Sequence, residues 1–377
     1  MNPDILKLFY DYTLLDVVIT TLLMLVSIYL TIKIRYNLQL NRNITLAIFA
    51  IHNLMFPIYL VYLFKYGSDS ISYFIGFHGY IFLDFEPGQV FLNKILIFLD
   101  FFKMNFYNIN YLFSIISLVS FYLLLKKIQD LKINNKSIFY LLVSFLFLPS
   151  IHFWHMGFSK DTLTFFSISL VLYEILKIKP NLIVIMFAMI LLYFVRIHIC
   201  LFVFLSLVLF YLFKINSFFL KIISIIFAIF LSQIMLKNIF NFTNIESIFQ
   251  FLNIFRDLYI DNPVTALSSD THMILKMLYY LFTPNILFLK DASLFYLIVA
   301  LENTMLIFLF INIFSFTSFF SIKKIQYFSF LIVFSLVSLM ILSYVTTNIG
   351  IAIRQKWIFL PSLVILLAGL KYKKIYK

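Results

Sequence analysis

The sequence predicts an all-α fold, a polytopic integral membrane protein, and three observations predict it. Hydrophobic residues form 63% of the 377-residue chain and charged residues only 12%, against about 45–50% and 25% in a soluble domain. There is too little polar surface to face water on all sides. Only 7 Gly and 8 Pro interrupt the chain, which leaves room for long helices. Apolar runs approach the roughly 20 residues that a helix needs to cross a bilayer, whereas a transmembrane β-barrel alternates in segments of about ten. A mean hydropathy of +1.02 excludes a soluble enzyme, a disordered regulator and a nucleic-acid-binding domain. The net charge of +13 therefore marks cytoplasmic loops anchored by cations, with no nucleic acid as partner. A lone cysteine, Cys200, lies in an apolar run and excludes an intramolecular disulfide and any CxxC metal site.

Taken in order, eleven spans are expected: 14–34, 44–64, 107–125, 138–153, 161–176, 181–195, 199–213, 218–236, 293–314, 325–345 and 357–370. Met1 to Asp16 carries Asp4, Asp11 and Asp16 against a single cation, Lys7, so the start does not read as a cleaved signal peptide. The first span ends at Lys33 and Arg35, and the second follows Arg42. The third ends at Lys126 and the fourth begins after Lys136; Lys177–Lys179, Lys214–Lys221, Lys323-Lys324 and the tail from Lys371 punctuate the later spans. Several middle spans are short, which reads as tilted, merged or re-entrant helices. Basic connections alternate along the path, and placing them in the cytoplasm puts the N-terminus outside. The acids, not used in that choice, agree: only Asp130 and Glu174 fall on the inner side. Two outer segments, 65–106 and 237–292, are too long for turns, and their apolar patches read as interfacial or re-entrant helices over an otherwise single transmembrane domain, 1–377.

The polar residues of the outer side are the candidates for chemistry. Asp69, flanked by Gly67 and Ser70, and Glu86, before Pro87-Gly88, are carboxylates just outside a span, suited to act as a general base on a hydroxyl. The turn 152–161 offers His152, His155 and Lys160, with Ser159 or Asp161 placed to cap the next helix, whose N-terminal amides favour an anion. The two histidines have no third ligand, so no metal is expected. Only 5 arginines stand among the cations. Arg35 and Arg42 anchor the inner side, while Arg196, Arg256 and Arg354 fall at the outer face. With His198 and Lys356 beside them they form a candidate pyrophosphate cradle, since the guanidinium fork suits phosphate. The ordinary alternative is snorkelling to the interface. Glu302 lies inside an apolar span, either a functional group or the partner of an arginine. Tyr73, Trp154 and Tyr259 are aromatic candidates to pack on a ligand.

These motifs run in the order Gly67-Ser-Asp69…Tyr73, Phe85-Glu86-Pro87-Gly88, Leu148-Pro-Ser-Ile-His-Phe-Trp154…Lys160-Asp161, Val195-Arg196-Ile-His198, Phe282-Thr-Pro284…Glu302-Asn303 and Arg354-Gln-Lys-Trp357…Pro361. In this order the chain resembles the Wzy-type or EpsG-like repeat-unit polymerases of bacterial surface polysaccharide. The resemblance implies a multi-pass protein of the bacterial cytoplasmic membrane that joins oligosaccharide repeat units carried on undecaprenyl diphosphate at the outer face. It implies O-antigen, capsule or exopolysaccharide synthesis, membrane lipids and a chain-length regulator as partners, and no cofactor. Related membrane glycosyltransferases use an outer-loop acid as base, which would place that role on Asp69 or Glu86; there the acid follows the first span, here the second. Two other functions share much of this pattern: a flippase for the lipid-linked oligosaccharide, and a glycosyltransferase using a polyprenyl-phosphate sugar.

Overall fold

The computed structural model describes residues 13–67, 69–77, 87–214, 226, 272–284, 294–314, 322–346 and 348–372. Among them the regular structure is helical. Among the described residues six helices are long and apolar enough to cross a membrane, or seven if the bent pair Ile349–Ile358 and Leu360–Tyr372 is one span broken by 52°. Ten of the eleven expected spans coincide with helices to within a few residues, and 218–236 lies outside the described residues except for position 226. The lower count of full-length spans has a plain cause in helix geometry. Leu182–Val195 has 14 residues, which rise about 21 Å against a hydrocarbon core of about 30 Å.

The chain folds as two compact units, one of residues 1–130 and 146–197, the other of 131–145 and 198–377. In the first unit we number α1 (Leu14–Leu38), α2 (Arg42–Tyr66), α3 (Asp69–Phe77), α4 (Pro87–Asp100) and α5 (Phe106–Asp130). After α6 (Lys136–Ser144), which belongs to the second unit, come α7 (Pro149–Trp154), α8 (Lys160–Ile175) and α9 (Leu182–Val195). The centre is α5, buried along most of its length. α1 runs parallel to it: Thr20 bonds Asn108 at 2.7 Å and Thr31 bonds Tyr122 at 2.9 Å. α2 runs antiparallel, with His52 opposite Ser114 and Phe64 opposite Phe106. α8 is parallel to α5, since Phe121 meets Phe165 and the Lys127 ammonium lies over the Tyr173 ring. α9 returns alongside α8. The start of α1, the ends of α2 and α9 and the starts of α5 and α8 therefore share one end of this unit.

α1 is built inside out relative to a soluble helix. Its buried residues are Asp16, Ser27 and Thr31, all polar, while Leu14, Leu22, Leu25, Tyr29 and Ile32 are exposed. A polar stripe facing protein and an apolar surface facing outward is what a hydrocarbon solvent selects. Thr13 and Asp16 form a reciprocal capping box that satisfies the first turn, and Asn41, Asn135 and Asn181 cap α2, α6 and α9.

The second unit contains α6, α10 (Ile197–Lys214), α11 (Met273–Phe282), α12 (Leu294–Ile313), α13 (Ile322–Val345), α14 (Ile349–Gln355) and α15 (Leu360–Tyr372). α13 and α15 are antiparallel: Ser335 bonds Ser362 at 3.0 Å, and Gly369 sits against the Phe328 ring. α12 runs parallel to the bent pair, bonded through Asn303 to Lys356 and through the Asn312 carbonyl to Lys371. The apolar patch of loop 65–106 folds as α4 against α9, where Phe91 stacks on Phe194 at 5.3 Å. Of the second loop, 272–284 is described and contains α11.

Candidate functional site

Four separated pieces of sequence meet at the shared end of the first unit. The turn before α8 is tied down from inside. Ser159 caps the helix, accepting from the Thr162 amide at 3.2 Å. The Thr162 hydroxyl lies 2.9 Å from the His155 carbonyl and 2.7 Å from the Gly157 carbonyl. Gly157 has φ +85°, and a Cβ there would lie 2.4 Å from the Tyr59 ring and 2.6 Å from Asn110 Oδ1. Only glycine combines that backbone with that space. The Phe158 amide donates to Asn110 Oδ1 at 2.9 Å, and Ser70 Oγ donates to the Phe158 carbonyl at 2.6 Å. Ser70 in turn meets Tyr59 at 3.1 Å. Through Ser70, the first turn of α3 is fixed to this turn, and that turn carries Asp69, which is partly buried.

Arg196, which ends α9, pairs with Asp161 in the first turn of α8. Arg196 is 11% exposed and Asp161 3%, so the pair is largely out of water. One guanidinium nitrogen is engaged, and the fork has further donors for another anion. Gly88, at the start of α4, closes the group. A Cβ on it would lie 2.6 Å from the Val195 carbonyl and 3.1 Å from Lys160 Cε. The Pro87-Gly88 segment is thus seated between the Lys160 chain and the backbone leading into Arg196. Asp69, His155, Lys160 and Arg196 belong to this assembly; Tyr73 is buried in it against Phe158, and Trp154 packs edge-on to Phe153.

The other sequence candidates fall elsewhere. Glu86, Arg256 and Tyr259 lie outside the described residues. In the second unit Lys356 is fully buried, bonded to Asn303 Oδ1, with Glu302 of the same helix acting on it electrostatically. Asn303 Nδ2 continues the chain to the Pro284 carbonyl at 2.8 Å. Arg354 lies in the last turn of α14, partly buried, and His198 opens α10 beside Phe202. Lys356, expected as an interfacial cation, is an internal one. Among the described residues no group of three or more His, Cys, Asp or Glu is placed to hold a metal ion.

No family model matches this chain. Neither a curated protein nor a solved structure matches it either. Chemical reading therefore rests on the site itself. The first-unit end offers the cations Lys160 and Arg196, the latter paired with Asp161, and a second carboxylate on α3. That combination suits a phosphorylated ligand approached by a group that loses a proton. From the sequence either Ser159 or Asp161 could cap α8; Ser159 is the cap, and Asp161 holds Arg196. The pairing has a signal in the sequence: α8 and α9 form an antiparallel pair, so an acid at the start of one faces whatever ends the other. Sequence reasoning does not mark His52, Asn110 or Ser70, because each reads alone as an ordinary polar residue on a helix.

Proposed function

We propose that this chain is a membrane glycosyltransferase that joins lipid-linked oligosaccharide repeat units at the outer face of a bacterial cytoplasmic membrane. In this reading about eleven spans form the body. The acceptor hydroxyl attacks the anomeric carbon of the donor, and the bond from that carbon to the undecaprenyl diphosphate oxygen breaks. Lys160 and Arg196 meet the diphosphate charge, and Asp69 takes the hydroxyl proton. Exposed apolar helices give the polyprenyl chain its surroundings. The observation that carries the reading is the seating of Gly88 between Lys160 and the Val195 carbonyl, because it brings the start of α4 to Lys160 and to the backbone just before Arg196. Supporting it, the Asp161–Arg196 pair holds the guanidinium at a helix end with donors to spare.

The test uses the producing strain. Asp69→Asn is expected to abolish long-chain glycan while the protein stays in the membrane; a full-length ladder on a polysaccharide gel would remove Asp69 from the mechanism. A second reading, a flippase for the same lipid-linked sugar, is favoured by one observation. The break of 52° between the last two helices lies beside a buried Lys356 on which Glu302, near the middle of α12, acts electrostatically, and broken helices with ionisable groups at mid-depth are a transporter device. A deletion strain separates the two. Loss of a polymerase leaves single repeat units at the cell surface, and loss of a flippase leaves none there.

A further inference from the structure

His52 on α2 and His152 on α7 face each other in the interior of the first unit, 1% and 0% exposed. Their Nδ1 atoms are 2.9 Å apart. His152 Nε2 is 2.9 Å from the Leu146 carbonyl, and His52 Nε2 is 2.9 Å from both the Ser114 carbonyl and the Ser114 hydroxyl. The donor count fixes where the protons go. A carbonyl only accepts, so His152 Nε2 carries a hydrogen, and a neutral imidazole then has a lone pair on Nδ1. His52 Nδ1 must be the donor across the pair, which leaves a lone pair on His52 Nε2. The Ser114 hydroxyl can donate to that lone pair, but the Ser114 carbonyl at the same distance then has nothing to accept from this ring. One additional proton on His52 Nε2 would turn the ring into a donor to that carbonyl, with no heavy atom moved.

We propose that His52 and His152 form a buried binding site for one proton, held on a shared hydrogen bond and received at His52 Nε2 opposite the Ser114 carbonyl. Burial and the neighbouring His155 oppose the charged form, and one contact favours it. Phe121 stacks on His152 with centroids 4.1 Å apart and lies 5.6 Å from His52, presenting a ring face to a delocalised cation. The titratable neighbour acting on both rings is His155, on the turn after α7, whose Nδ1 meets the Ile151 carbonyl at 2.8 Å. The charged residues of the packed helices stand near helix ends: Arg42 and Lys65 on α2, Lys126, Lys127 and Asp130 on α5, Lys160, Asp161 and Glu174 on α8. Tyr59, Tyr111 and Tyr122 bond Ser70, Asn53 and Thr31. A proton arriving here sets one positive charge beside α7, which leads into the turn that carries Lys160. The proposal stands whether or not the glycosyl-transfer reading does.

The full-length protein in lipid bilayers, labelled with ring-15N histidine, tests it by solid-state NMR; the chain has only 6 histidines. The expected result is a direct correlation between the two Nδ1 nitrogens, His52 in the Nδ1–H form at high pH, and uptake of one proton by the pair as a unit on acidification. Two Nε2–H rings without that correlation, two independent uptakes, or none while the protein stays folded would each overturn the proposal. Ser114→Ala adds a readout that mere packing would not move. It removes the hydroxyl that favours the neutral form and keeps the carbonyl that favours the charged one. The midpoint of uptake should therefore rise by about 0.5–1 pH unit, a three- to tenfold gain in proton affinity; an unchanged midpoint would overturn the assignment.

Discussion

At the residue scale, the Asp161–Arg196 pair separates a positioning role from a structural one. Removing one member strands the other charge in a largely dry place, and such losses run to about 3–5 kcal/mol. Arg196→Ala is expected to lower the melting temperature in detergent clearly, and Arg196→Ala with Asp161→Asn to recover most of it, because no buried charge remains. If both variants melt alike, the pair contributes nothing that depends on charge. Gly157 makes a second point. Gly157→Ala meets both a left-handed backbone and a contact of 2.4 Å with Tyr59, so a destabilisation of about 2 kcal/mol or more is expected, read by the same melting measurement. Much of the site is legible in the sequence: Asp69, Lys160, His155 and Arg196 stand out by chemistry that is costly beside an apolar helix. Their neighbours do not. Asn110 and Ser70 act on the backbone of a turn far away in sequence, and a hydrogen bond to a carbonyl leaves no mark on composition.

At the element scale, the agreement between apolar runs and helices is close because a bilayer and a helix impose the same length on the sequence. Length separates the runs: six or seven of the described helices are long and apolar enough to cross a membrane. Leu182–Val195 and Ile197–Phe213 are apolar but shorter, and hydropathy reports greasiness rather than whether a segment reaches across. Loop 65–106 reads in sequence as interfacial or re-entrant, and its two described helices belong to the first unit, α3 burying Ile71, Tyr73, Phe74 and Ile75. The contact between α1 and α5 rests on polar rungs that water does not compete for. Asn108→Leu removes the partner of both Thr20 and Asp16. By analogy with measured side-chain bonds in membrane helices it should cost about 0.6–1.7 kcal/mol, measured as a shift in unfolding by a graded denaturing detergent. Asn135→Ala removes the cap of α6, a bond of 3.3 Å to the Ile138 amide, and about 1 kcal/mol is expected from that loss.

At the scale of the molecule, the charge pattern makes a topology that can be checked directly. Cys200 is buried and is the sole cysteine, so a Cys200→Ser background allows single cysteines to be placed at will. Asn134→Cys is expected to react with a membrane-impermeant maleimide only after the cells are opened, and Lys103→Cys before; the reverse result would invert the orientation and move the candidate site to the cytoplasm. The inverted build of α1 also bears on how the chain is made. Its polar stripe is covered by α5, which begins at Phe106, well after α1 ends at Leu38. At about 5–20 residues per second, a ribosome needs several seconds to deliver that partner. During those seconds Thr20, Asp16 and Thr31 lack their α5 partners Asn108 and Tyr122, so α1 must be sheltered at the insertion machinery or keep its wet side toward another early helix. A slow translation between these two helices would lengthen that exposure, and the yield of correctly assembled protein would fall with it.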